Sequence, residues 1–271
     1  MDLGKKQVLT VVKIVDFGVY LGSEKEKVLL PKKQVPNGIE LGDPIEVFLY
    51  KDSSDRLIAT THEPKLTLGQ IAVLDVLQVG KFGAFLDWGL EKDLFLPFKE
   101  QTVKVKPGDE CLVALYIDKS ERLCATMKVY DYLRKDSEYQ KDDRVEGRIY
   151  ESSDNFGLFV AVDDKYSALI PKKEAPYGLR VGDKVHARVT EVKPDGKLTL
   201  SVREKAFIQM NKDAEVVLKR IQENGGSLSL NDKSDAEVIK AELGLSKNAF
   251  KRAVGHLYKA RKIEILEDGL K

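Results

Sequence analysis

Over residues 1–203 apolar and polar positions alternate in short runs, punctuated by glycine, proline and aspartate. The pattern is clearest in 143–203. Residues 144–150 alternate, 157–162 form a second apolar run, and 166–170 form a third that ends at Pro171. Along 184–192, Val185, Ala187 and Val189 alternate with His186, Arg188 and Thr190, and 198–202 closes the set. Period-two runs bounded by turn residues predict strands. Five of them in about 65 residues predict a small five-stranded barrel. A unit of that size is marginal alone, so neighbouring units are expected to pack together.

The same pattern occurs three times. Phe-Gly with an aromatic two residues beyond the glycine occurs at Phe17-Gly18-Val19-Tyr20, Phe82-Gly83-Ala84-Phe85 and Phe156-Gly157-Leu158-Phe159. An aliphatic-Pro step follows at Leu30-Pro31, Leu96-Pro97 and Ile170-Pro171. Eleven positions after each proline comes Gly-Asp: Gly42-Asp43, Gly108-Asp109 and Gly182-Asp183. Three anchors in fixed order and matched spacing identify an internal tandem repeat. The repeats place barrels at 1–63, 66–128 and 143–205. Between the last two, 129–142 breaks the alternation, and its loosely helical Tyr132, Leu133 and Tyr139 predict a short linking helix.

After Phe207 the period becomes helical, with Ala214, Val217, Leu218 and Ile221 on one face and a stop at Asn224-Gly225-Gly226. A short strand is expected at 227–230. Ser234, with Glu237 three residues on, reads as a capping box opening a second helix to about Leu243. Ser246 caps a third to about Lys262. A strand at 263–266 and a turn at Glu267-Asp268-Gly269 follow. Helix, strand, helix, turn, helix, strand is the order of a winged helix, here over 207–271. The third helix carries Lys247, Lys251, Arg252, Lys259, Arg261 and Lys262 and no acid. The helix dipole accounts for the last three. Lys247, Lys251 and Arg252 are candidate nucleic-acid contacts, with contact to a protein as the alternative.

The 271 residues hold 45 Lys+Arg against 44 Asp+Glu, a formal net charge of +1. That excludes a polycationic nucleic-acid coat, but a local basic face remains compatible with it. No apolar run approaches the ~20 residues of a membrane span, and the N-terminal segment, broken by Lys13 and Asp16, reads as a strand rather than a leader. Cys111 and Cys124 have no metal-ligand spacing and read as small apolar strand residues in a reducing, cytoplasmic setting. The three histidines, His62, His186 and His256, fall in different domains without a nucleophile partner. Phosphate-binding glycine motifs are missing, and the aspartate pairs at 52/55 and 163/164 read as turn formers. No enzyme, metal or cofactor is expected.

The repeat of Phe-Gly-x-aromatic, a Pro-containing turn, Gly-Asp and an Arg- or Lys-led last strand resembles the S1 RNA-binding domain, a variant of the OB fold. Many S1 domains carry His where this chain has Pro31, Pro97 and Pro171. The resemblance implies an RNA face made by Phe17, Tyr20, Asp52 and Arg56 in the first copy and by Phe82, Phe85, Asp118 and Arg122 in the second. In the third it implies Phe156 and Phe159, with Lys193 and Lys197 standing where the Asp/Arg pair would be. Strict pleating puts residues three apart on opposite faces. Either a bulge at the intervening glycine turns both rings outward, or one ring of each pair belongs to the core. Lys32-Lys33 and Lys172-Lys173 after the prolines are candidate phosphate contacts; the second copy has Phe98-Lys99 there.

Three such units followed by a winged helix with Asn224-Gly225-Gly226 and Leu230-Asn231-Asp232-Lys233-Ser234 resemble the bacterial conserved virulence factor B family over essentially the whole chain. The resemblance implies a non-enzymatic, cytoplasmic regulator of gene expression that binds single-stranded RNA through its barrels. Rival readings are a DNA-binding regulator acting through the winged helix on duplex DNA or RNA, and a scaffold for the ribosome or RNA-processing machinery.

Overall fold

The computed structural model describes residues 1–176, 178–203, 206–266 and 268–271, with the side chains of 206–209 left aside. The chain forms two compact units, 1–202 and 203–271. Within the first, each repeat closes into a five-stranded barrel. Barrel one comprises β1 (Lys6–Val15), β2 (Gly18–Gly22), β3 (Lys27–Pro31), β4 (Pro44–Lys51) and β5 (Leu57–Thr60). Barrel two comprises β6 (Ile71–Val79), β7 (Gly83–Asp87), β8 (Leu94–Pro97), β9 (Glu110–Ile117) and β10 (Leu123–Thr126). Barrel three comprises β11 (Arg144–Ser153), β12 (Gly157–Val162), β13 (Tyr166–Pro171), β14 (Lys184–Val192) and β15 (Leu198–Ser201). In each barrel the first strand pairs antiparallel with the second and the fourth, and the third pairs parallel with the fifth.

The repeat anchors are the contacts that close each barrel. Gly18, Gly83 and Gly157 lie opposite Pro31, Pro97 and Pro171. A Cβ on these glycines would stand 2.2, 2.3 and 2.2 Å from the carbonyl oxygens of Leu30, Leu96 and Ile170. The residue after each proline then donates its N–H to the carbonyl of the preceding Phe: Lys32 to Phe17 at 2.9 Å, Phe98 to Phe82 at 3.1 Å, Lys172 to Phe156 at 3.0 Å. The Gly-Asp turns dock on the first strand. Gly42, Gly108 and Gly182 donate to Val11, Val76 and Ile149 at 2.9, 2.9 and 2.8 Å, and those residues donate back to the carbonyls of Asp43, Asp109 and Asp183. The first strand shifts register at the same places, between Val11 and Lys13, Val76 and Gln78, and Ile149 and Glu151. The bulge therefore lies in the first strand, opposite Tyr20–Leu21, Phe85–Leu86 and Phe159–Val160, and not at the Phe-Gly corner.

The barrels share cores. Phe48 and Tyr50 of β4 pack edge-on against Trp88 of barrel two, with ring centroids 5.8 and 6.3 Å apart. Between barrels two and three, Leu112, Ala114, Val129, Leu133, Tyr150 and Ala161 form one buried cluster. Arg148, buried beside it, reaches Asp164 of its own barrel at 3.2 Å and Glu110 of barrel two at 3.3 Å.

The linking helix expected over 129–142 does not form. A single 3-10 turn at Tyr130–Tyr132 is followed by extended chain from Leu133. Arg134 donates to the carbonyl of Lys165 at 2.9 Å and accepts from Ser167 at 2.8 Å, so the linker makes a parallel bridge at the start of β13, where β15 does not yet pair. Unpaired strand-edge groups compete with a helix for the linker's own hydrogen bonds, and here they win.

In the second unit α1 (Ala206–Glu223), α2 (Ala236–Leu243) and α3 (Lys247–Lys259) surround a core of Val217, Ile221, Ile239, Phe250, Val254 and Leu257. The N-cap of α2 is Asp235, whose carboxylate accepts from Glu237, and not Ser234. Ser234 instead accepts the N–H of Asn231 at 2.9 Å and closes the preceding turn. Ser246 caps α3 as expected, but the helix ends at Lys259. The expected strands at 227–230 and 263–266 reduce to bridges from Leu270 to Leu228 and Ile265. Glu267, in the expected terminal turn, and residues 204 and 205 lie outside the described residues. No described helix is long and apolar enough to cross a membrane.

Replacing Gly157 by Ala is expected to destabilise unit 1–202 by about 2–4 kcal/mol, through backbone contact added to a positive φ. Gly38→Ala, with φ +77 and open space around its Cβ, is expected to cost about 1 kcal/mol. Urea midpoints of the two variants compare them directly.

Candidate nucleic-acid interface

The first ring of each pair lies in the turn before the second strand, outside the pleat. Phe17, Phe82 and Phe156 are 58%, 72% and 62% exposed. The second ring is within the strand and half-buried on the outer face. Strand pairing extends that face in a row: Tyr20–Leu29–Ile58 in barrel one, Phe85–Phe95–Cys124 in barrel two, Phe159–Leu169–Thr199 in barrel three. Neither ring belongs to a barrel core. Phe17 and Tyr20 meet edge-on with centroids 6.4 Å apart, as do Phe156 and Phe159 at 6.4 Å.

Alternation along the fifth strand places Arg56, Arg122 and Lys197 on the side of Ile58, Cys124 and Thr199. The Asp/Arg pair is first a turn. Asp52 accepts the N–H groups of Ser54 at 2.8 Å and Arg56 at 3.0 Å through one oxygen, and the Arg56 guanidinium at 2.7 and 3.0 Å through the other. Asp118 repeats this with Ser120 and Arg122. Partial burial works against the charged form of both aspartates. The arginine bonds and charge outweigh it and hold both carboxyls below the usual carboxylate range. The aspartates are thereby consumed, and the outer edges of the exposed Arg56 and Arg122 remain open. In barrel three Asp195 accepts the backbone N–H of Lys197 and pairs with its ammonium at 2.8 Å, which keeps that lysine firmly charged.

In barrel two Phe82, Phe85 and Arg122 line one groove of about 510 Å³, with Asp118 behind Arg122. In barrel three Phe156, Phe159, Lys193 and Lys197 line a groove of about 260 Å³. In barrel one the two rings meet, as do Asp52 and Arg56. In the second unit Lys251 and Arg252 are exposed and Lys247 is half-buried at the start of α3.

Two aromatic residues escape the sequence reading. Phe95 lies 5.4 Å from Phe85, ring centre to ring centre. Its position two residues before Pro97 puts it on the outer face by alternation, a legible signal. Tyr130, from the linker, meets Phe159 edge-on at 6.0 Å, and the Lys197 ammonium sits 5.4 Å from its ring centre. Nothing in the repeat pattern points to it. Cys124, at the floor of the barrel-two groove, is buried, and burial pushes its thiol up to about 11. No group of three or more metal-ligating side chains occurs among the described residues.

The depressed Asp118 carboxyl gives a pH dependence of definite sign. Its stabilising pair with Arg122 is complete above the unfolded carboxyl value of about 3.9 and is lost as pH falls through the lower folded value. Asp118→Asn is therefore expected to lower the melting temperature at pH 7, with the difference from the parent closing as pH falls through the lowered folded value. A difference that persists unchanged into acid would mean the charge is not what Asp118 contributes.

Residues 3–62 and 68–128 match the S1 domain, 130–204 match the second domain of the virulence regulatory factor CvfB, and 215–271 match the CvfB-like winged helix domain. The uncharacterized protein YitL of Bacillus subtilis is 30% identical over 97% of this chain and 91% of its own length. Conserved virulence factor B of Staphylococcus aureus is 29% identical over 84% of this chain and 78% of its own. The crystal structure of a multidomain protein with nucleic acid binding domains from Streptococcus pneumoniae TIGR4 aligns with a TM-score of 0.53 at 27% identity. It covers 99% of this chain and 98% of its own. Three barrels with this corner, a winged helix after them and relatives matched over 78% to 98% of their length agree: the chain belongs to the conserved virulence factor B family.

Proposed function

We propose that the chain is an RNA-binding regulatory protein. It holds single-stranded RNA across the outer aromatic faces of its barrels, with the winged helix assisting, and acts on gene expression after transcription. The observation that carries this reading is the exposed phenylalanine at the same corner of all three barrels. Each has a second ring three residues on and, on the same face, a cation from the residue just before the fifth strand. A single exposed apolar side chain is ordinary, but an exposed ring beside a second ring at the same corner of three barrels is a repeated apolar patch of the kind that marks a binding surface. A base stacked on such a ring contributes about 1–3 kcal/mol, whatever its identity. The guanidinium and ammonium groups are placed for the flanking phosphates. The S1 matches and the pneumococcal relative's nucleic-acid-binding domains support the same class of ligand.

Near-neutral net charge fits this mechanism better than a purely electrostatic one. With few phosphate contacts, affinity falls only moderately with salt. Phe82→Ala combined with Phe85→Ala is expected to weaken binding of a single-stranded RNA about tenfold or more, by loss of stacking, while the melting temperature stays close to the parent's. A folded double variant with unchanged affinity would remove the aromatic face from the mechanism.

A second reading, duplex binding through α3, has one observation in its favour. Lys251 and Arg252 are exposed outside the buried stripe of Phe250, Ala253, Val254 and Leu257. In the leading reading Lys251→Ala with Arg252→Ala lowers RNA affinity by about threefold or less, as befits two peripheral phosphate contacts. In the second reading the same pair abolishes binding to duplex DNA, and gel-shift titrations with both ligands separate the two.

A further inference from the structure

The aromatic groove of barrel two is not made by barrel two alone. Its far side is lined by Tyr50, Lys51 and Asp55, all from the β4–β5 hairpin of barrel one. We propose that this hairpin is a fixed wall of the barrel-two site, so that the two barrels form one composite groove holding an unstacked base of a single strand, with flanking phosphates met by Lys51 and Lys81. The inference rests on the single-stranded RNA reading above and makes it more specific, since it replaces separate platforms by a joint one.

The wall is held independently of any ligand. Tyr50 and Phe48 are buried against Trp88. From barrel two, Lys92 donates to the main-chain carbonyl of Asp52 at 2.7 Å and pairs with Asp55 at 3.3 Å. A backbone anchor plus a packed aromatic pair fixes the hairpin's distance from Phe82 and Phe85, as preorganised sites require. The volume, about 510 Å³, lies in the range of pockets that enclose a nucleotide-sized ligand. The cations Lys51, Lys81, Lys92 and Arg122 outnumber the acids Asp55 and Asp93 along the groove. The Arg122 guanidinium charge is stabilised chiefly by Asp118, with a smaller contribution from Asp55 on the opposite wall. A groove with apolar rings, four cations and two carboxylates along it suits a base with its attached phosphates.

The protein carries its own reporter. Trp88 is its single tryptophan, buried and lining this groove. Titrating the full chain with a ten-nucleotide oligouridylate should change Trp88 fluorescence, with labelled-RNA anisotropy run in parallel. Lys51→Glu, a barrel-one change, is expected to weaken the Trp88-reported affinity about tenfold, reversing one phosphate contact. Lys92→Met, which releases the hairpin from barrel two, is expected to weaken it about fivefold. A charge-matched swap in the linker before barrel three, Lys141→Glu, is expected to stay within about twofold. Thermal melts confirm that each variant is folded.

A Trp88-reported affinity indifferent to both Lys51→Glu and Lys92→Met would overturn the composite groove. So would RNA binding seen by anisotropy with no change at Trp88. In either case Phe82→Ala with Phe85→Ala still decides the broader reading, which fails separately if that variant binds normally. Absence of binding by either readout would sink both.

Discussion

Gly18, Gly83 and Gly157 pass so close to a neighbouring backbone carbonyl that a methyl group in their place would overlap it. That approach lets the second strand of each barrel leave the first at a sharp corner and cross directly under the aliphatic-Pro step. The corner leaves the preceding phenylalanine no interior position. Its carbonyl is bound by the residue after the proline, so its side chain projects into solvent. A closing contact of the barrel and the presentation of a bare aromatic ring are thus the same structural event. The ring is exposed because the fold closes there, and the fold spends no further residues on holding it.

What differs among the three barrels is the company each ring keeps. Barrel one offers Tyr20 with Leu29 and Ile58 and the arginine of its hairpin. Barrel two offers Phe85 and Phe95 above Cys124, the most aromatic row of the three. Barrel three has Thr199 at the same place, a lysine for the arginine, and Tyr130 laid on it from the linker. The arginines of the first two barrels are tied to hairpin aspartates, so the local positive charge is partly spent before any phosphate arrives. A chain with net charge of +1 can still hold a polyanion when stacking supplies much of the affinity and cations chiefly set position.

The repeat was legible because each anchor is a backbone requirement. A glycine without room for Cβ and a Gly-Asp turn that docks on the first strand narrow the residue types allowed, and a proline recurs at the position paired with the glycine. The strands of barrel three follow from alternation with shifts of one residue or a few at their ends. Neither expected arrangement, a bulge at the intervening glycine or one ring of each pair in the core, is the one that forms, since pleat arithmetic applied to Phe17 and Tyr20 assumes both lie within a strand, and Phe17 does not. The linker misled for a different reason. Tyr132, Leu133 and Tyr139 read as a loose helical face, yet Leu133 is buried between two barrels and the chain from it is extended, bridging to β13 at Tyr166. Tyr130 and the β4–β5 wall share that cause, because contacts between repeats leave no period in the sequence. The shift of the α2 cap from Ser234 to Asp235 is smaller, a choice between adjacent oxygens decided by the turn at Asn231.

Mapping where RNA touches the chain tests the aromatic face most directly. Photocrosslinking a uridine-rich single strand to the full protein, followed by mass spectrometry of the crosslinked peptides, reads position without mutation. Stacking on the barrel corners predicts crosslinks at Phe82 and Phe85 first, with others at Phe17, Tyr20, Phe156 and Phe159. Crosslinks confined to α3 and its flanks, with the barrel corners clean, would contradict the account.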